Sequence, residues 1–261
     1  MYEFHSNTDW YFQMQKLTSQ NYIIPFIEEV YPILPGAHVL EIGCNQAGVL
    51  NAFLERGCVG VGVDLDTGRI KEGSKKLNDY IESGQLKLIA KDIYLVDHEK
   101  DLGGKFDIIV LKDVIEHIPD QEKLLKRMKE LLNPNGVIFL GFPPWQMPFG
   151  GHQQMCKNKI LSHLPYFHLL PMPVYKSILK IFKENVKGLS EIKETGISIE
   201  RFKKIINRTS YKTTNQRYYF INPIYQYKFN LKVREQLPFI RSIPYLRNFL
   251  TTSVFFIITL E

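Results

Sequence analysis

The stretch VLEIGCNQAGVL, residues 39–50, places a carboxylate, Glu41, two residues ahead of a turn. In that turn Gly43, Asn45 and Gly48 fill the three slots of a G-x-G-x-x-G spacing. A dinucleotide fingerprint needs glycine in the middle slot, where the backbone approaches a pyrophosphate closely. Asn45 obstructs that approach, although asparagine tolerates the left-handed backbone of a tight turn. Glu41 would repel phosphate and attract a cation. Asp64 follows Gly43 by 21 residues, close to the spacing at which an acid accepts ribose hydroxyls; Asp66 competes for that role from beyond the strand end. The favoured ligand is therefore cationic, carries a ribose and lacks phosphate, as S-adenosylmethionine does.

The elements around the turn are legible from apolar periodicity. HVLEIG (38–43), CVGVGVDL (58–65), LKLIAKD (86–92), FDIIVLKD (106–113) and GVIFLGF (136–142) read as strands. VLNAFLERG (49–57), TGRIKEGSKKLNDYI with Thr67 as N-cap, and DQEKLLKRMKELL read as helices. This alternation predicts an α/β fold, a doubly wound, seven-stranded, mostly parallel sheet whose strand ends share one ligand-binding edge. After residue 141, six prolines (143, 144, 148, 165, 171, 173) break the rhythm and predict an irregular, partly helical insertion after strand five. Ser198 then caps a further helix, and QRYYFIN and TSVFFIITL predict an antiparallel C-terminal hairpin. The expected division is an N-terminal helical cap over 1–36, a core over 37–141, a substrate-covering insertion over 142–197, and a helix with hairpin over 198–261.

Taken in order, the motifs resemble the class I, Rossmann-like S-adenosylmethionine-dependent methyltransferases. VLEIGCNQAG matches the first motif apart from Asn45 and Ala47, GVGVDLD the acidic end of strand two, AKDI the end of strand three, and FDIIVLKDVIEHIPD the fourth-strand segment. The resemblance covers roughly residues 37–141 and, more weakly, the terminal helix and hairpin. It implies that Glu41 organises the methionine end, that Gly43, Cys44 and Asn45 pass under the ligand with Gly48 closing the turn, and that Asp64 with Leu65 meets the ribose. It implies further that Asp92 accepts from the adenine amino group with Ile93 against the ring, and that Lys112, Asp113 and Val114 floor the sulfonium.

A sulfonium methyl is already activated, so a base is required only for an acceptor with a high pKa, such as a sugar hydroxyl. His117, His152 and Lys112 are the catalytic candidates, although His117 ahead of Ile118-Pro119 also reads as structural. Tyr11, Trp145 and His152 are candidates for the acceptor side, Tyr11 and Trp145 having core packing as the alternative. No metal site is expected, since His152 and Cys156 lack further ligands at metal spacing.

Three widely spaced cysteines, no secretory signal and no membrane-length apolar run point to a cytoplasmic protein. Residues 1–150 carry 15 Lys and Arg against 21 Asp and Glu, whereas residues 151–261 carry 18 against 6. The basic half, with aromatic and aliphatic residues interleaved in LPYFHLLPMPVYKSILKIFK and LPFIRSIPYLRNFL, predicts peripheral contact with an anionic lipid surface. Nucleic acid is disfavoured because no recognition module accompanies the charge. The expected activity is methyl transfer to a small-molecule, lipid or glycan-type acceptor at oxygen. A non-catalytic cofactor-binding protein is the alternative, and a nicotinamide-dependent oxidoreductase is disfavoured by Glu41 and Asn45.

Overall fold

The computed structural model describes residues 8–261, so residues 1–7 of the expected cap lie outside it. Among the described residues the strands are β1 (His38–Ile42), β2 (Val59–Asp64), β3 (Leu86–Ala90), β4 (Phe106–Lys112), β5 (Leu132–Phe142), β6 (Tyr211–Ile221), β7 (Arg234–Glu235) and β8 (Ser253–Leu260). They form one sheet in the order β3-β2-β1-β4-β5-β8-β6-β7. The first five pair in parallel; β8 pairs antiparallel with both β5 and β6. The strand order reverses between β1 and β4, and this switch point opens the crevice at their carboxyl ends.

Alternate residues of each central strand feed opposite layers, as a period of two requires. Leu40, Ile109, Leu140 and Phe256 pack with Leu124, Leu125, Met128 and Phe202 from helices Gln121–Leu131 and Ile199–Arg208. Val39, Val110, Phe139 and Phe255 pack on the other face with Phe12, Phe26, Leu50 and Phe53, which come from the N-terminal helical segment and helix Gly48–Leu54. With both faces covered, β4 and β8 are nearly continuous apolar runs.

The structure corrects several sequence expectations. The sheet has eight strands rather than seven, because the two-residue β7 pairs with the edge of β6 and is too short to leave a periodicity. The helix expected over residues 67–81 breaks at Leu77, and its N-cap is Asp66 rather than Thr67: Asp66 Oδ1 accepts from the Gly68 and Arg69 amides at 2.9 and 3.1 Å. Strand β5 begins at Leu132 instead of Gly136, because a register shift opposite Phe106 and Ile108 takes in Asn133–Gly136. The terminal strands are antiparallel as expected, but residues 222–252 between them carry the short helices Ile224–Phe229, Pro238–Ser242 and Leu246–Leu250.

Between β5 and helix Ile199–Arg208, helices Lys159–His163, Met172–Ile181 and Val186–Thr195 gather around a small cluster of Cys156, Leu161, Phe167, Tyr175, Leu179 and Leu189. Trp145 fastens this segment. Its amide donates to Ile197 O at 2.8 Å, its carbonyl lies 2.8 Å from His168 Nε2, and Gly196 sits so close to the indole that a Cβ there would meet it at 2.4 Å. Two further bonds tie the segment to the core: Thr195 Oγ1 donates to Glu116 O, and Gln121 Nε2 donates to Thr195 O, each at 2.6 Å. No helix among the described residues is long and apolar enough to cross a membrane.

Candidate active site

The loop after β1 is built from left-handed residues. Gly43, Asn45 and Ala47 have φ of 73°, 53° and 62°. Gly43 is the position glycine alone suits, since a Cβ would lie 2.4 Å from Val114 Cγ2. At Gly48 a Cβ would meet the Phe12 carbonyl at 2.7 Å, so the N-terminal helix closes directly onto the turn. Asp64 holds the loop from β2: its Oδ2 accepts from the Asn45 amide at 2.7 Å, and its Oδ1 accepts from the Asp66 amide at 2.8 Å.

Two cavities meet at this loop and share Gly43, Asn45 and Asp113. The smaller, of about 100 Å³, is also lined by Tyr11, Gln15, Glu41, Cys44, Gly48 and Lys112. The larger, of about 620 Å³, is also lined by Asp64, Leu65, Asp92, Ile93, Val114 and His117. Every residue expected to hold the cofactor therefore borders one cavity or the other. Tyr11 joins them from the N-terminal helix, whereas Trp145 borders neither. His152 faces the same region through its ring, whose centroid lies 4.9 Å from that of His117.

Burial governs the electrostatics. Glu41, 3% exposed, accepts from the Leu50 amide at 3.1 Å, and desolvation still pushes its pKa well above the usual carboxylate range. Lys112 is buried and ion-paired with Asp113, which itself sits at a φ of 56°. Burial together with the Asp113 charge raises Tyr11 to about 12 and Tyr225 to about 12. Lys228 is lowered to about 8, chiefly by burial, with Asp113 opposing and Lys112 assisting. Burial lowers His117 and brings His152 down to about 4.

Sequence reasoning missed Tyr225 and Lys228. They arrive on helix Ile224–Phe229, far along the chain from Asp113, and nothing local in NPIYQYKF signals the approach. It also did not single out Glu116. In the structure Glu116 is 4% exposed and neither carboxylate oxygen has a hydrogen-bond partner. That combination of burial and missing partners is invisible in the sequence.

A family profile described as a methyltransferase domain matches residues 16–169. The chain belongs to the methyltransferase domain family. Its motif order and fold are those of the class I, S-adenosylmethionine-dependent enzymes. Among curated relatives, a ubiquinone biosynthesis O-methyltransferase of Coxiella burnetii is 26% identical over 140 residues, covering 50% of this chain and 55% of that protein. An uncharacterised protein of Rickettsia prowazekii is 34% identical over 145 residues, covering 52% of this chain and 54% of the relative. The chain thus spans about half the length of the curated relatives it matches. Among solved structures, magnesium protoporphyrin IX methyltransferase from Synechocystis, with bound S-adenosylhomocysteine, aligns with a TM-score of 0.56 at 13% identity, covering 95% of this chain and 83% of that one.

Proposed function

We propose that this methyltransferase moves a methyl group from S-adenosylmethionine to an oxygen of a small-molecule acceptor of lipid, isoprenoid or glycan type. The pair of joined cavities carries the reading. Gln15 Oε1, Asn45 Oδ1 and Asp113 Oδ1 are buried acceptors without donors around the smaller cavity, as an ammonium-bearing methionine end requires. Glu41 adds a carboxylate to that end. In the larger cavity Asp64 suits the ribose, each of its oxygens keeping a lone pair beyond the amide it already accepts. Asp92 and Ile93 suit the adenine.

When bound, the cofactor supplies a methyl carbon activated by a sulfonium. The chain's own part is to hold the acceptor oxygen in line and to exclude water. Lys112, ion-paired with Asp113, orients that carboxylate at the floor, while His117 and His152 stand at the acceptor side. In this reading the insertion over residues 142–197 and the helical cap cover this region, while Tyr11 from the cap and Tyr225 and Lys228 from helix Ile224–Phe229 feel the Asp113 charge. Oxygen is favoured as the methylated atom because the ubiquinone-biosynthesis relatives are O-methyltransferases by name.

We place the acceptor at the cytoplasmic face of an anionic membrane. Exposed Ile160, Leu164, Val174 and Ile181 in the insertion, and Leu237, Phe239, Tyr245 and Leu246 near the C-terminus, lie among lysines and arginines. Tyr166 ties these segments together, its hydroxyl donating to Phe249 O at 3.1 Å. Such mixed apolar and basic surfaces suit lipid headgroups.

Isothermal titration with S-adenosylmethionine and, separately, with a nicotinamide dinucleotide tests the cofactor reading. Saturable binding of the first alone is expected. Asp64→Ala should weaken it by about 1–3 kcal/mol through lost ribose hydrogen bonds, and unchanged affinity would show that the ribose lies elsewhere.

A further inference from the structure

We infer that Glu116, His117 and His152 form a binding site for a divalent transition-metal ion on the acceptor side of the active site. Each residue offers one ligand atom, and the three atoms lie within 4.8 Å of one another. Bonds of about 2.1 Å in a tetrahedral site set donors about 3.4 Å apart. A contraction on the order of an ångström would therefore seat an ion.

The decisive observation is that two of the three residues present buried polar atoms without partners, while the exposed His117 completes the group. Both carboxylate oxygens of Glu116 and the Nδ1 of His152 are enclosed, and no hydrogen bond reaches any of them. Buried polar atoms are normally satisfied, and a buried carboxylate with neither oxygen bonded is the costliest exception. The nearby cation, Lys112, bonds to neither oxygen, being ion-paired with Asp113 instead.

The surroundings hold the three residues in place. Glu116 and His117 lie on the short turn Ile115–His117, clamped where Thr195 Oγ1 bonds to the Glu116 carbonyl and Gln121 Nε2 reaches the Ile115 carbonyl at 3.2 Å. His152 is held at a φ of 54°, a strained conformation for a residue with a side chain and one that clusters at functional sites. The core supplies two ligands and the insertion the third, so the ion would also fasten the insertion over the cavity.

Two imidazoles and one carboxylate favour Zn²⁺ or another first-row transition ion over Mg²⁺, and three protein ligands leave a coordination position open. This role rests on the methyl-transfer reading; the metal binding does not. An acceptor hydroxyl at the open position would release its proton to water on coordination. Its oxygen would then bond to the methyl carbon as the carbon–sulfur bond breaks, the electron pair of that bond passing to sulfur.

The test uses the tag-free chain, stripped with a chelator and titrated with Co²⁺ and Zn²⁺. One equivalent should bind. The Co²⁺ form should show ligand-field absorption without the thiolate charge-transfer band that a cysteine ligand would give. Glu116→Gln and His152→Ala should each weaken binding at least about tenfold, since even residues behind the ligands are worth that much. His152→Asn replaces the alanine variant if circular dichroism shows that the latter has not folded. Absence of saturable binding by the wild type, or affinity unchanged in both variants, would overturn the site. S-adenosylmethionine titration in chelator is the separate arm: its failure would remove the cofactor reading and leave the metal result intact.

Discussion

Gly43 admits no side chain for two independent reasons, its positive φ and the Val114 methyl 2.4 Å from where a Cβ would stand. Gly43→Ala should cost on the order of 2 kcal/mol of stability, read from denaturant midpoints. Adding Val114→Ala should recover the steric part and leave the backbone part; a double variant no better than the single would mean that the clash is absent. At this scale, legibility followed sequence distance. Glu41, Asp64 and Asp92 were readable because each lies within two residues of the end of a strand whose apolar run fixes its position on the rim. Asp66, the competing ribose acid, commits one oxygen to two amides of its own helix, which only the folded turn shows. Tyr225, Lys228 and the buried state of Glu116 depend on packing between segments remote in sequence.

At the scale of elements, Glu200 joins helix Ile199–Arg208 to the short helix Leu246–Leu250. Its carboxylate accepts from the Tyr245 amide at 3.0 Å, from Arg247 Nε at 2.9 Å and from the Asn248 amide group. Burial alone would raise its pKa, but these bonds together outweigh it and hold the group below its ordinary value. A folded pKa below the unfolded one adds stability that is complete above the unfolded pKa and lost as pH falls through the folded pKa. The stability advantage of the wild type over Glu200→Gln should therefore shrink on acidification below the ordinary glutamate pKa, as seen in urea melts across pH. A gap that stays constant with pH would refute the argument. Gly196→Val, which drives a side chain into the Trp145 indole, should expose residues 142–197 to limited proteolysis while β1–β5 stay protected. The strand and helix alternation was readable because buried parallel strands are continuous apolar runs. The break at Leu77 and the two-residue β7 were not, since a helix interruption within a polar stretch and a very short edge strand leave periodicity unchanged.

For the whole molecule, the charge asymmetry between the two halves becomes a question about surfaces. Flotation with phosphatidylglycerol vesicles at low salt should carry the chain upward and phosphatidylcholine vesicles should not, with Phe239→Glu and Leu246→Glu reducing recovery severalfold. Equal recovery on both lipids, or none on either, would remove the membrane placement. The sheet order has a different consequence. Strand β8 lies between β5 and β6, so β6 and β7 are joined to the rest of the sheet only through it. A protease cut within residues 222–252 would sever a covalent link yet leave that seam hydrogen-bonded on both sides. Withdrawal of the β8 peptide would then release a flap and bare the β5 margin, a ready template for illicit strand pairing. The intact assembly should consequently be separable into two fragments that find each other again, with light scattering betraying any excess of the larger piece.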